Sequence, residues 1–267
     1  MLSTKSVFIG ISLLAPTPAF SMFALDGGLR ILAYGDGSIE ETLAFCAPYE
    51  EAVVGINLPR RLNNGAAMRA AGTHTGRGRP HRDVDMRLCE VLLRRQGVKI
   101  PATPAALEHC PQWMQQGFLL YERLEAEGFL PEPAGDVPRQ VLETHAESVF
   151  RVFLNKPLLS ARSLEGRLQR HLLLYEQGLR IVDPMNYFEE ITRSRVLQGN
   201  LPVQMLHTSS ELEALAGAYM AWRLVNRPQL VSRIGDMEEG CVLLPLWREL
   251  ESSQPVSVRQ MDMFGRE

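Results

Sequence analysis

V-F-I-G-I-S-L-L, from Val7 to Leu14, admits two readings with opposite consequences. With Lys5 before it and Ala19-Phe20-Ser21 after it, the run mimics a signal peptide with small residues at a cleavage point. Taken as a buried strand, it passes through a Pro-containing turn into A-F-S-M-F-A-L (Ala19 to Leu25), and Asp26-Gly27-Gly28 then supplies a tight hairpin turn into Leu29 to Tyr34. The strand reading is taken here, because the pattern of strand formers continues without a break. Ser38, with Glu41 three residues on, fits a capping box that opens a helix to about Tyr49. Ala52 to Leu58, A-V-V-G-I-N-L, is short and almost wholly apolar, as expected of a strand covered on both faces.

Beyond that strand the pattern changes. Arg60 to Pro80 is rich in Gly, Arg, Asn and Thr without an apolar period, and reads as a loop. Asp83 to Gln96 and Trp113 to Gly128 repeat apolar residues at helical spacing and end at glycines. Arg139 to Thr144 returns to a strand pattern. Helical segments follow over Ala146 to Asn155, Ser163 to Gln177, Tyr187 to Gln198 and Ser209 to Asn226, with a short apolar run at Cys241 to Leu244. The block from about Arg60 to Pro138 thus reads as a helical insertion between two core strands.

Charge is uneven. Arg60 to Lys99 holds ten Lys or Arg against three acids, a local balance of +7 in a chain of formal charge −3, so the remainder carries −10. Such asymmetry allows a local polyanion site without a basic coat over the whole protein. Cys46, Cys89, Cys110 and Cys241 show no C-x-x-C or finger spacing, which argues against zinc and for reduced thiols in a cytoplasmic protein. No stretch approaches the roughly 20 apolar residues of a membrane span, so no membrane partner is expected.

Seven segments, in order, carry a resemblance: F-I-G-I-S, V-G-I-N-L-P-R-R-L, L-E-T-H-A-E-S-V-F-R, L-E-G-R-L-Q-R-H, D-P-M-N-Y-F-E-E-I-T-R, E-L-E-A-L-A-G-A-Y-M-A-W and M-E-E-G-C-V-L-L-P. In order and spacing the chain resembles the domain of unknown function 429 family, predicted nucleases with a ribonuclease-H-like fold. The resemblance implies an α/β fold: a mixed sheet, with a three-strand antiparallel meander plus parallel strands, flanked by helices. It implies one ribonuclease-H-like domain over 1–250 with the helical insertion at about 60–138, and a C-terminal tail over 251–267 expected to be flexible. It also implies a metal-dependent nuclease with acids at the strand ends holding Mg²⁺ or Mn²⁺. Family aspartates fall where this chain has Ser12 and Asn57, Glu143 is kept, and a family aspartate becomes Glu213. Mg²⁺ prefers anionic oxygen ligands, so two neutral replacements weaken the site.

The residues themselves leave rival readings open. Glu143 is either a metal ligand, or a cap or ion-pair partner of Arg139 or Arg151. Glu213 is either a ligand or part of a solvated face with Glu211. His145, two residues past Glu143, would share its face in a strand and orient water or serve as a general acid, or be a buried, hydrogen-bonded histidine. Arg60, Arg61, Arg77, Arg79 and Arg82, with Arg167 and Arg170 on one helical face, suit phosphate contacts to DNA or RNA, or solvation and ion pairing. Gln260-Met261-Asp262-Met263-Phe264 resembles the bacterial sliding-clamp-binding peptide, with three apolar anchors and a Gln to fix register. The expected function is a metal-dependent nuclease acting on phosphodiesters. The alternative is a catalytically inactive, nucleic-acid-associated or adaptor protein with the same fold.

Overall fold

β1 (Val7–Leu14), β2 (Ala19–Leu25) and β3 (Ile31–Gly37) pair as an antiparallel meander in the computed structural model, which describes residues 6–14, 19–71, 85–135 and 137–247. The β2–β3 turn closes on Asp26, whose Oδ1 accepts from the backbone N–H of Gly28 at 2.8 Å and of Arg30 at 2.9 Å. Ser38 caps α1 (Ile39–Cys46), and both hydrogen bonds of the expected capping box are present. The chain then enters β4 (Ala52–Ile56), which lies parallel to β1 with every residue buried.

Between β4 and its next sheet neighbour come α2 (Ala66–Ala71), α3 (Leu88–Arg95), α4 (Gln112–Ala126) and the two-residue β5 (Leu130–Pro131). β6 (Arg139–Thr144) pairs parallel with β4 and, along its start, with β5. After it run α5 (Ala146–Leu154), α6 (Leu164–Glu176), the short α7 (Asn186–Glu189) and α8 (Arg193–Leu197), and α9 (Ser209–Asn226). The single helix expected over Tyr187 to Gln198 is broken because the Thr192 side chain accepts from the N–H of Arg195 and starts a new helix. β7 (Val231–Asp236) and β8 (Gly240–Pro245) close the sheet as an antiparallel hairpin, β8 parallel to β6. Only the second of these two strands shows as an apolar run in the sequence. The sheet order is β3-β2-β1-β4-β6-β8-β7, a mixed α/β arrangement flanked by helices.

Alternation along the strands divides the core in two. Val7, Ile9, Ile11, Val54 and Ile56 pack toward α1 and α4, while Phe8, Val53 and Leu142 pack with α3, α5 and α9. The α9 layer is unusually close to the sheet. A Cβ at Gly10 would lie 1.7 Å from the Ala214 carbonyl oxygen, and one at Gly55 would lie 2.2 Å from that of Gly217. These glycines are what let the first turns of α9 rest on β1 and β4, and that contact builds one side of the candidate site. All four cysteines are free thiols. No helix among the described residues is long and apolar enough to cross a membrane.

Candidate functional site

A cavity of about 270 Å³ lies at the carboxyl ends of β1, β4 and β6, the end of a parallel sheet where ligands usually bind. Ser12, Asn57, Glu143, His145 and Glu213 all line it. The carboxylates, however, belong to two separate networks. In the first, Glu143 is buried and gripped by Arg87, which is 1% exposed. Arg87 Nη1 donates to Glu143 Oε2 at 2.9 Å, and Nη2 pairs with Oε1. The Arg60 backbone N–H adds a bond to Oε2 at 2.9 Å. Arg87 Nε reaches Glu90 Oε1 at 2.9 Å, and Glu90 also accepts from the Thr103 backbone N–H and hydroxyl. Burying three charges is tolerable because each is paired and the carboxylate oxygens take further N–H and hydroxyl donors.

The second network is neutral apart from its one carboxyl group. Ser12 Oγ donates to Glu213 Oε2 at 2.7 Å, and Asn57 Nδ2 donates to the same oxygen at 2.9 Å. The orientation of Asn57 is fixed from behind, since its Oδ1 accepts from the Ala146 N–H, the first residue of α5, at 2.8 Å. Burial pushes the Glu213 carboxyl above its ordinary range, and nearby Glu147 adds to this, against the bonds from Ser12 and Asn57.

The donor set does not fit the divalent cation that the resemblance implies. Both Glu143 oxygens are engaged by a fixed guanidinium, whose positive charge opposes a dication at the same carboxylate. Asn57 turns amide hydrogens, not its oxygen, toward Glu213. Among the described residues no group of three or more His, Cys, Asp or Glu is placed to hold a metal.

The model of the family described as Protein of unknown function (DUF429) matches residues 18–239, most of the chain. The chain belongs to the DUF429 family. No curated protein and no solved structure matches it. Asn57, Glu143 and Glu213 lie inside the matched span, and Ser12 lies before it.

In this DUF429 chain His145 is not on a strand. It is the N-cap of α5, where Nδ1 accepts from the Ser148 N–H at 3.3 Å and lies 2.8 Å from the Ser148 hydroxyl. Burial, reinforced by Arg87, lowers its pKa to about 4, so the ring is neutral at pH 7. The ion-pair partner of Glu143 is neither Arg139, which donates to the carbonyls of Tyr49, Glu127 and Ala47, nor Arg151, but Arg87.

Four of the expected phosphate-contacting arginines, Arg60, Arg61, Arg167 and Arg170, lie within the described residues of the DUF429 chain and are engaged with the protein. Arg60 pairs with Glu125 at 3.0 Å, and Arg61 donates to the Glu238 carbonyl at 2.8 Å. Arg167 holds the carbonyls of Leu206 and His207, and buried Arg170 pairs with Glu147 at 2.6 Å while donating to Leu159 and Gly166. Both therefore tie α6 to its neighbours. Arg77, Arg79, Arg82 and the segment Gln260, Met261, Asp262, Met263 and Phe264 lie outside the described residues. The residue of the cavity lining that sequence reasoning passed over is Arg87. Its signal was present: an arginine set among Met86, Leu88 and Cys89, with Glu90 three residues on, is a charge in an apolar run.

Proposed function

We propose that this chain is a ribonuclease-H-like protein that has given up metal-dependent phosphodiester hydrolysis and serves as a non-catalytic, nucleic-acid-associated or adaptor protein. The fold assignment is supported by the order of the elements. Three antiparallel strands lead through α1 to β4, which returns parallel to β1, and β6 follows parallel beside β4. One observation carries the loss of hydrolysis: Glu143, the kept family acid, spends both oxygens on Arg87 and the Arg60 N–H. A metal nuclease would require Glu143 to release Arg87, leaving that buried guanidinium with Glu90 as its one remaining carboxylate. It would also require Asn57 to abandon the start of α5.

Association with nucleic acid rests on the basic Arg60 to Lys99 segment, and recruitment to a sliding clamp on Gln260 to Phe264, both at the level of sequence. Calorimetric titration with Mg²⁺ and Mn²⁺ tests the proposal. No binding is expected at millimolar metal, and no cleavage of single- or double-stranded DNA or RNA. Binding that disappears in both Glu143→Gln and Glu213→Gln would overturn it and restore the nuclease.

A further inference from the structure

We propose that the cavity at the strand ends is a binding site for a small organic cation, a protonated primary amine on a short apolar body. The proposal rests on the reading that this site no longer holds a divalent metal, and it names what the vacated chemistry suits. Three carboxylates line the cavity, Glu90, Glu143 and Glu213, against one cationic side chain among the described lining residues, Arg87. All three guanidinium nitrogens of Arg87 are engaged by Glu90 and Glu143. An anionic ligand such as phosphate would therefore meet an excess of negative charge and no spare cation in the described lining.

The carboxylates differ in what they have left to offer. Glu90 and Glu143 accept on both oxygens, whereas Glu213 accepts only on Oε2, and no donor among the described residues reaches its Oε1. A single anionic oxygen is a poor anchor for a divalent ion, which needs several, but it suits one ammonium group. The cavity lining also includes the apolar side chains of Leu58, Ile100, Trp113 and Met114. Apolar walls accept an alkyl body, and an indole in the lining is a candidate for a cation–π attraction to the ammonium group. At about 270 Å³ the space falls just below the roughly 300–1,000 Å³ of drug-sized ligand sites, which limits the guest to a small molecule.

The test uses the full chain at low salt, titrated with n-butylammonium, n-butanol, butyrate and inorganic phosphate. Saturable binding of butylammonium is expected, with butanol much weaker and neither anion bound. Glu213→Gln keeps the hydrogen bonds from Ser12 and Asn57 and should weaken the amine at least tenfold with an unchanged near-ultraviolet dichroism spectrum. Trp113→Ala should weaken butylammonium and butanol together. Butyrate or phosphate binding in preference to the amine would overturn the proposal, as would amine binding unaffected by Glu213→Gln, or none at tens of millimolar. The Mg²⁺ titration separates the two readings. Metal binding that needs Glu143 and Glu213 defeats both, while absence of metal and amine binding alike defeats this one alone.

Discussion

Glu143 and Glu213 both line one cavity, yet they are held by opposite physics. Glu143 is locked in a dry ionic knot, with Arg87 between it and Glu90 and backbone N–H groups filling the remaining positions. Glu213 is half-buried and held on one oxygen by the neutral donors Ser12 and Asn57, and burial pushes its carboxyl up. Two residues that look equivalent as acidic ligands are thus a structural ion and an available one. The sheet register contributes to the separation. Glu143 is paired with Ile56, which packs toward α1 and α4, whereas Ser12 and Asn57 sit with α9 on the other layer.

The sharpest break in that comparison is Arg87→Met. Removing one partner of a buried ion pair leaves uncompensated charge and typically costs about 3–5 kcal/mol. Here two carboxylates lose their cation at once, so the unfolding free energy measured in urea at pH 8 should fall by that amount, or the fold should fail. Adding Glu90→Gln and Glu143→Gln to the same chain should recover part of the loss. A single-variant cost under about 1 kcal/mol would mean that the knot is solvated and that the two carboxylates are not held so differently.

Acid stability sharpens the comparison from another side. His145 and the fully buried His171 are both lowered to about 4, His145 by burial and Arg87, His171 by burial and His207 against Asp183. Their unfolded value is near 6.5, so the unfolded chain takes up protons first as pH falls. The stability is therefore complete above about pH 6.5, declines as pH falls toward 4, and levels below that, by on the order of 3 kcal/mol for a fully shifted histidine. Unfolding free energies between pH 7 and 4 should show this slope in the wild type. It should shrink in His171→Phe. The share that depends on Arg87 should shrink in a chain carrying Arg87→Met with Glu90→Gln and Glu143→Gln, and an unchanged slope there would detach His145 from the ionic knot.

Much of the sheet was legible because period-two patterns, a D-G-G turn and a capping box are local signals. The boundaries of β6 and α9 follow directly from their sequences. β7 was not legible: V-S-R-I-G-D mixes polar and apolar residues, and its place is set by pairing with β8. The candidate site was half legible. The positions Ser12, Asn57, Glu143 and Glu213 stand out in the sequence, and they do share one cavity. Their partners do not, because Arg87 comes to Glu143 from 56 residues away and Ser12 to Glu213 from 201 away. Spacing along a chain carries no information about such meetings. The glycines that bring α9 onto the sheet stand in F-I-G-I-S and V-G-I-N-L, but their role as contact points appears only when the helix is in place.

The smallest expected effect is also the most discriminating. Glu213→Gln preserves an oxygen to accept from Ser12 and Asn57, while its new amide group replaces the Oε1 that no described donor reaches. Exchanging a charged acceptor for a neutral one in this setting should change stability by no more than about 1 kcal/mol, because the raised carboxyl already bears a desolvation cost that Gln does not. The same chemical change at Glu143 sets an amide against a guanidinium that was bonded on two sides, and should cost several times more. Paired urea unfolding of the two variants at pH 8 measures that ratio directly. Equal losses would mean that the fold depends on Glu213 as heavily as on Glu143, and the cavity would then have no carboxylate left to offer a ligand.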